Sequence, residues 1–414
     1  MPFSLLKIAY QKCSPEDRLR YDALPGNKLT VEIRDCCDQI ISPNPQNDRL
    51  YFGACFYAAV NGHIDCLRQA HLKGLPWHNR ITYVAAQLGN LECLRYAHEN
   101  GCDISDDVAF MCIKNNKLAT LEYLLLNGFN LPSNICTTAA PFGKVDMLET
   151  LRKYNFTWDV STTEMAACHG SLEYLKYLHQ HGCPWGVTTC ANAAMCGRLE
   201  ILKYAHQNGC PWDETTCSNA AIDGHYEIIR YAHQNGCPWD ATTCANAAKY
   251  GHIKILKYAR RNGCPWDYVT TAMAAKFGHR SCLKFACRNG CDISEITAVC
   301  AAIGGNLECL KILHRHGCRW DSRTCDNAAS FGHLDCLKYA HRKGCKWDSR
   351  TCQLAAEAGQ IKCLEFAHRN GCKWNSRTII GAAMNGHLDC FNYALKHGLK
   401  WPPIAYYRNS ISFN

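Results

Sequence analysis

At 414 residues, with 47% apolar and 20% charged side chains, the chain has the composition of a folded protein and not of a disordered tail. Its net charge of +9 favours acidic partners but stays below the charge of a dedicated nucleic-acid binder. No run approaches the ~18 apolar residues of a membrane span, the opening MPFSLLKIAYQKC lacks a secretion-signal layout, and 31 cysteines spread over so long a chain do not make a compact disulfide framework, so the reading is a soluble, non-secreted protein of a reducing compartment.

In chain order, residues 1–46 come first. They lie outside the pattern that follows and, with Pro43 and Pro45 as a break, read as an N-terminal capping segment. From residue 47 to residue 398 the chain repeats with a 27-residue period and no insertion or deletion. One glycine ladder runs from Gly74 to Gly398 with Asn155 as its single substitute; a second runs from Gly62 to Gly386 with Asn116 as its substitute. Glycine and asparagine accept a left-handed backbone, so both ladders read as helix ends or tight turns. All ten tryptophans, from Trp77 to Trp401, stand three residues after a first-ladder position.

The unit from Gly236 to Asn262, GCPWDATTCANAAKYGHIKILKYARRN, shows the elements inside each period. Asp240 or Thr242 is the expected N-cap of a short helix that ends before Gly251. A second helix follows from Ile253 to Asn262, with Ile253, Ile255, Leu256 and Ala259 as its apolar face. Neither helix reaches the ~12 residues needed for stability alone, so each hairpin must lean on its neighbours. Thirteen such units fit the array, and residues 399–414, which include Pro402 and Pro403, read as a C-terminal cap.

The run Ala247-Ala248-x-x-Gly251-His252, followed by Leu256-Lys257 and a closing Gly263, resembles the core of the ankyrin repeat. Alignment on that family places Thr242 at the helix N-cap. The resemblance implies an all-α, ankyrin-like solenoid of helix-turn-helix repeats with a long concave surface on the order of 110 to 130 Å. The family's T-P-L-H signature is absent, and a unit six residues shorter than the usual 33 leaves Gly-Cys-Pro-Trp-Asp where the projecting β-hairpin finger would stand, so fingers are expected to be short or absent. This short form resembles the divergent ankyrin-type arrays of giant viruses and protists, which implies a cytoplasmic site, the host cytoplasm for a virus.

Candidate chemistry recurs in every unit and has no unique centre. The tryptophans read as inter-repeat packing. Cysteines occupy three rows: after the closing glycine (Cys210, Cys237, Cys264), inside the first helix (Cys190, Cys217, Cys244) and inside the second (Cys309, Cys336, Cys363). Copies in adjacent units are too far apart to bridge, and the rows read as small buried apolar residues. Pairs such as Cys93/His98 and Cys336/His341 put zinc ligands five apart on one helix, where they face different ways, so no metal is expected. The histidines after the second ladder (His225, His252, His279) resemble the ankyrin Gly-His turn. No G-x-S-x-G, Walker or G-x-G-x-x-G sequence appears. A catalytic set would have to be unique, so no enzyme and no cofactor are expected.

Two groups of residues are candidate partner contacts. The pair between Ala-Ala and the second-ladder glycine varies from unit to unit on a fixed frame; Lys249, Tyr250, Lys276, Phe277 and Phe331 are its bulky members. Later in the chain Arg319, Lys346 and Lys373 replace prolines, and Arg323, Arg350 and Arg377 form a second row; from Gly290 to Lys400 there are 15 basic and 10 acidic residues. These residues point to a monomeric, non-enzymatic scaffold that is expected to hold a protein partner, acidic where the basic row takes part, along its concave helix face. The alternatives are a ubiquitin-ligase adaptor docking through residues 1–46 and a basic-stripe nucleic-acid binder; nucleic acid and membrane are not the expected partners.

Overall fold

The computed structural model describes residues 14, 16, 53–75, 78–129 and 131–401. The expectations for most of residues 1–46, for Trp77 and for residues 402–414 lie outside them. Two compact units are present, Met1–Trp185 and Gly186–Asn414. Among the described residues the first holds five helical hairpins and the second eight, thirteen in all, and no strand occurs. The finger of the longer repeat is therefore missing from the described connections.

The hairpin of the second unit formed by Ala241–Lys249 and Ile253–Arg261 shows how the sequence makes the brick. Asp240 is extended at φ −134°, and its carboxylate accepts from the Thr242 backbone N–H at 3.0 Å. The cap is thus Asp240. Thr242, the position the family alignment assigned, already lies inside the first turn and donates its hydroxyl to the same carboxylate. Asp213, Asp267, Asp321, Asp348 and Asn375 cap their helices likewise.

The two glycine ladders have different physical causes. Gly263 has φ +83° and open space around the place a side chain would fill, so the left-handed backbone alone requires it. Gly251 has φ +82° and, in addition, the His279 ring of the next hairpin 2.5 Å from where a Cβ would stand. Asn116 and Asn155 are the non-glycine residues of positive φ among those described, at 54° and 64°. Gly170 departs from the expected left-handed turn. It is extended at φ −76°, and glycine is needed because a Cβ would meet the Ala166 carbonyl oxygen at 2.7 Å and that of Ala140 at 3.1 Å.

Each first helix buries small residues, here Thr243, Cys244, Ala245, Ala247 and Ala248, which lets first helices of neighbouring hairpins lie close together. Each second helix buries Ile255, Leu256 and Ala259 or their equivalents, while Ile253 is only half-buried. A fully buried leucine such as Leu256 contributes about 2 kcal/mol. Because that burial is shared between adjacent hairpins, each unit is a helical-repeat solenoid whose core is continuous across its bricks.

Candidate functional site

Three of the histidines that open second helices are committed to the frame. His225 Nε2 donates to the Met195 carbonyl at 3.0 Å, His252 to Ile222 at 2.9 Å and His333 to Ile303 at 3.0 Å, in each case the last turn of the preceding first helix. Where asparagine stands instead, the Asn306 amide donates to the Ala275 and Lys276 carbonyls at 3.0 and 2.7 Å. These bonds satisfy helix-end carbonyls that have no partner within their own helix.

The tryptophans interlock hairpins. Trp212 stacks on His206 at 3.6 Å and meets Tyr231 of the next second helix edge-on at 6.3 Å. His341, Trp347 and Phe366 repeat the arrangement at 3.7 and 6.0 Å. Where arginine replaces the histidine, the Arg260 guanidinium lies 4.6 Å from the Trp266 ring centre. Burial holds His206 and His368 below the ordinary histidine range.

The row cysteines are free thiols, and many are more than apolar filler. Those after the closing glycine donate to the N-cap carbonyl of the preceding first helix: Cys237 to Asp213 at 3.3 Å, Cys291 to Asp267 at 3.1 Å, Cys372 to Asp348 at 3.0 Å. Threonine replaces cysteine in the first-helix row where Thr271 donates to Tyr268 and Asp292. The position thus favours a short side chain able to donate. Burial pushes the Cys291 thiol up to about 12, far from the thiolate that metal binding or nucleophilic chemistry needs. In the C-x4-H pairs the two side chains part company: Cys93 is buried against the Ala58 carbonyl while His98 bonds the Tyr123 hydroxyl. Among the described residues no group of three or more His, Cys, Asp or Glu side chains could hold a metal ion.

The residues proposed from sequence as contacts fall on two separate edges of the hairpins. Tyr250, Phe277 and Phe331 are exposed by 42%, 47% and 52% at the C-terminal ends of first helices. The Lys249 ammonium lies 4.8 Å from the Tyr250 ring and 5.6 Å from the Phe277 ring, and Lys276 lies 5.8 Å from Phe277. Arg319, Lys346 and Lys373 are exposed in the connecting turns, and Arg323, Arg350 and Arg377 are exposed in the first turn of the first helices. The two groups are roughly 13 Å apart, the length of a nine-residue helix. Arg323 pairs with Asp321 at 2.7 Å and Glu295 at 3.5 Å, and Arg350 lies 3.9 Å from the buried Asp326, so part of the second row is already neutralised.

Sequence reasoning missed a recess in the first unit. Phe56, Arg80, Tyr83, Gln87 and Asp107 are among the residues around about 500 Å³ of accessible space on the first-helix face. The signal was present: Phe56, Tyr83 and Phe110 stand 27 residues apart, at the position where later hairpins carry Ala245 and Ala272.

No family model matches the chain, and no curated protein matches it. The chain is a helical repeat protein built of two-helix hairpins. Among solved structures it is similar to the human ASB11 ankyrin repeat domain, with 16% identity over 38% of this chain and 84% of that chain and a TM-score of 0.34. It is also similar to the pentatricopeptide repeat protein PPR10 in complex with an 18-nt psaJ RNA element, with 15% identity over 85% of this chain and a TM-score of 0.37. It spans 57% of the length of that protein.

No described helix is long and apolar enough to cross a membrane.

Proposed function

We propose that the chain is a non-enzymatic scaffold that holds a protein partner against the exposed ends of its first helices. The observation that carries this reading is the row Tyr250, Phe277 and Phe331, aromatic side chains left open in register at the ends of first helices. Aromatic anchors with a cationic border are what a protein interface uses. Lys249 and Lys276 would favour acidic residues in the partner at the rim of that contact. The histidines and row thiols that a catalyst would use are spent on backbone hydrogen bonds, which supports binding over chemistry. We place the scaffold in the cytoplasm, as a monomer.

The test is quantitative affinity purification with the full chain and with the variant Tyr250→Ala/Phe277→Ala/Phe331→Ser. Loss of a protein recovered by the parent chain, with unchanged helical circular dichroism, is expected. Identical recovery by both forms would contradict the assignment of the face.

A further inference from the structure

Three connecting turns of the second unit carry the same triplet of cations. They are Arg315, Arg319 and Arg323; Arg342, Lys346 and Arg350; and Arg369, Lys373 and Arg377. Within each triplet the first ends a second helix, the next stands in the turn and the last opens the following first helix, so all three lie on one edge. Five periods before the second and third triplets the same positions are Gln207, Pro211 and Thr215, then Gln234, Pro238 and Thr242. The frame is unchanged while every one of these positions passes from neutral to cationic.

All nine cations are exposed. Arg323, Arg350 and Arg369 have carboxylates within 4 Å. Among the described residues no such carboxylate accompanies Arg315, Arg319, Arg342, Lys346, Lys373 or Arg377. In the first two turns the acidic side chains Asp321 and Asp348 are held by backbone N–H groups as helix caps. None of the exposed large apolar side chains lies on these turns; Phe331 is at the far end of its helix, and Trp320, Trp347 and Trp374 are half-buried on His314, His341 and His368.

A protein partner, or a membrane, would need an apolar or aromatic anchor here. A phosphodiester backbone needs cations at short, regular spacing and no anchor. Hairpins about 8 to 10 Å apart put the nine cations within roughly 20 Å, and the six without a carboxylate give about one charge per 3 Å, within about twofold of a duplex with one phosphate charge per ~1.7 Å. We propose that this edge binds the backbone of a nucleic acid without reading its sequence. It is separate from the aromatic ends of the first helices, so this edge and the protein-binding face stand or fall independently.

The test is fluorescence anisotropy of the full chain with labelled DNA and RNA duplexes of about 24 base pairs between about 50 and 200 mM salt. Binding to at least one duplex is expected, indifferent to scrambling of its sequence, with log affinity falling linearly against log salt. A variant that restores the earlier residues, Arg342→Gln/Lys346→Pro/Arg350→Thr/Arg369→Gln/Lys373→Pro/Arg377→Thr, should bind at least about tenfold more weakly with a flatter salt slope. Lys257→Gln/Lys284→Gln, which removes exposed cations from second helices, should stay within about twofold of the parent. If the first variant loses helical structure, Arg342→Gln/Lys346→Gln/Arg369→Gln/Lys373→Gln is read in its place. Absence of binding at about 50 mM salt, equal binding by the restored variant, or displacement of the duplex by polyglutamate at a lower charge concentration would overturn the proposal.

Discussion

Gly251 and Gly263 both have a left-handed backbone, but only Gly251 also has a neighbour's ring against it. Gly263→Ala should cost about 1 kcal/mol, the penalty for the left-handed conformation. Gly251→Ala should cost more, because the His279 ring must also move out of the way. Urea denaturation of the two variants gives the order directly, and equal losses would contradict the account. Asp326 supplies a second residue-scale prediction. Its carboxylate is buried and accepts from the Thr351 hydroxyl at 2.6 Å, and burial raises its pKa above the ordinary aspartate value. A raised acid costs stability once ionised, so Asp326→Asn should raise Tm at pH 7 and lose that advantage as the pH falls through the folded pKa. A lower Tm at pH 7 would show that Arg350 more than offsets the burial.

At the scale of the element, the link between hairpins is the set His206, Trp212 and Tyr231 and its copies. Trp239→Ala removes one such link, between His233 at 4.0 Å and Tyr258 at 6.3 Å, and should cost about 2 kcal/mol in thermal or urea unfolding. Acid should loosen the same joints. Burial lowers the folded pKa of His206 and His368, so the stability they permit is complete above the unfolded value near 6.5 and is lost as the pH falls below it. His206→Arg should flatten that pH dependence, since Arg260 already occupies the position as a permanent cation. Both helices of each hairpin, their ends and the tryptophan packing were legible in the sequence, because a strict 27-residue period turns each position into thirteen observations. The residues left the cap open between Asp240 and Thr242 because aspartate and threonine both accept hydrogen bonds, and the extended φ of Asp240 decides for it over the position that the family alignment gave. The cysteines were read as apolar because spacing gives no sign of the carbonyl beside Cys237.

Across the second unit, hairpins of one design carry different surfaces, with aromatic side chains at first-helix ends around Tyr250 and Phe277 and cations in the turns from Arg315 to Arg377. The basic rows at Arg319 and Arg323 were legible as charge; the addition of Arg315, Arg342 and Arg369 needed the fold, because only a hairpin shows that the end of one helix and the start of the next share an edge. The same modularity fixes the most direct test of the whole account. Excising residues 236–262, one full period, should leave a shorter protein with the same helical signal per residue and a cooperative melt, because each hairpin meets an equivalent neighbour across the cut. Excising residues 236–254 instead should lose helix well beyond the residues removed. Equal damage from the two deletions, measured by circular dichroism during heating, would contradict the claim that each 27-residue period is an interchangeable two-helix brick.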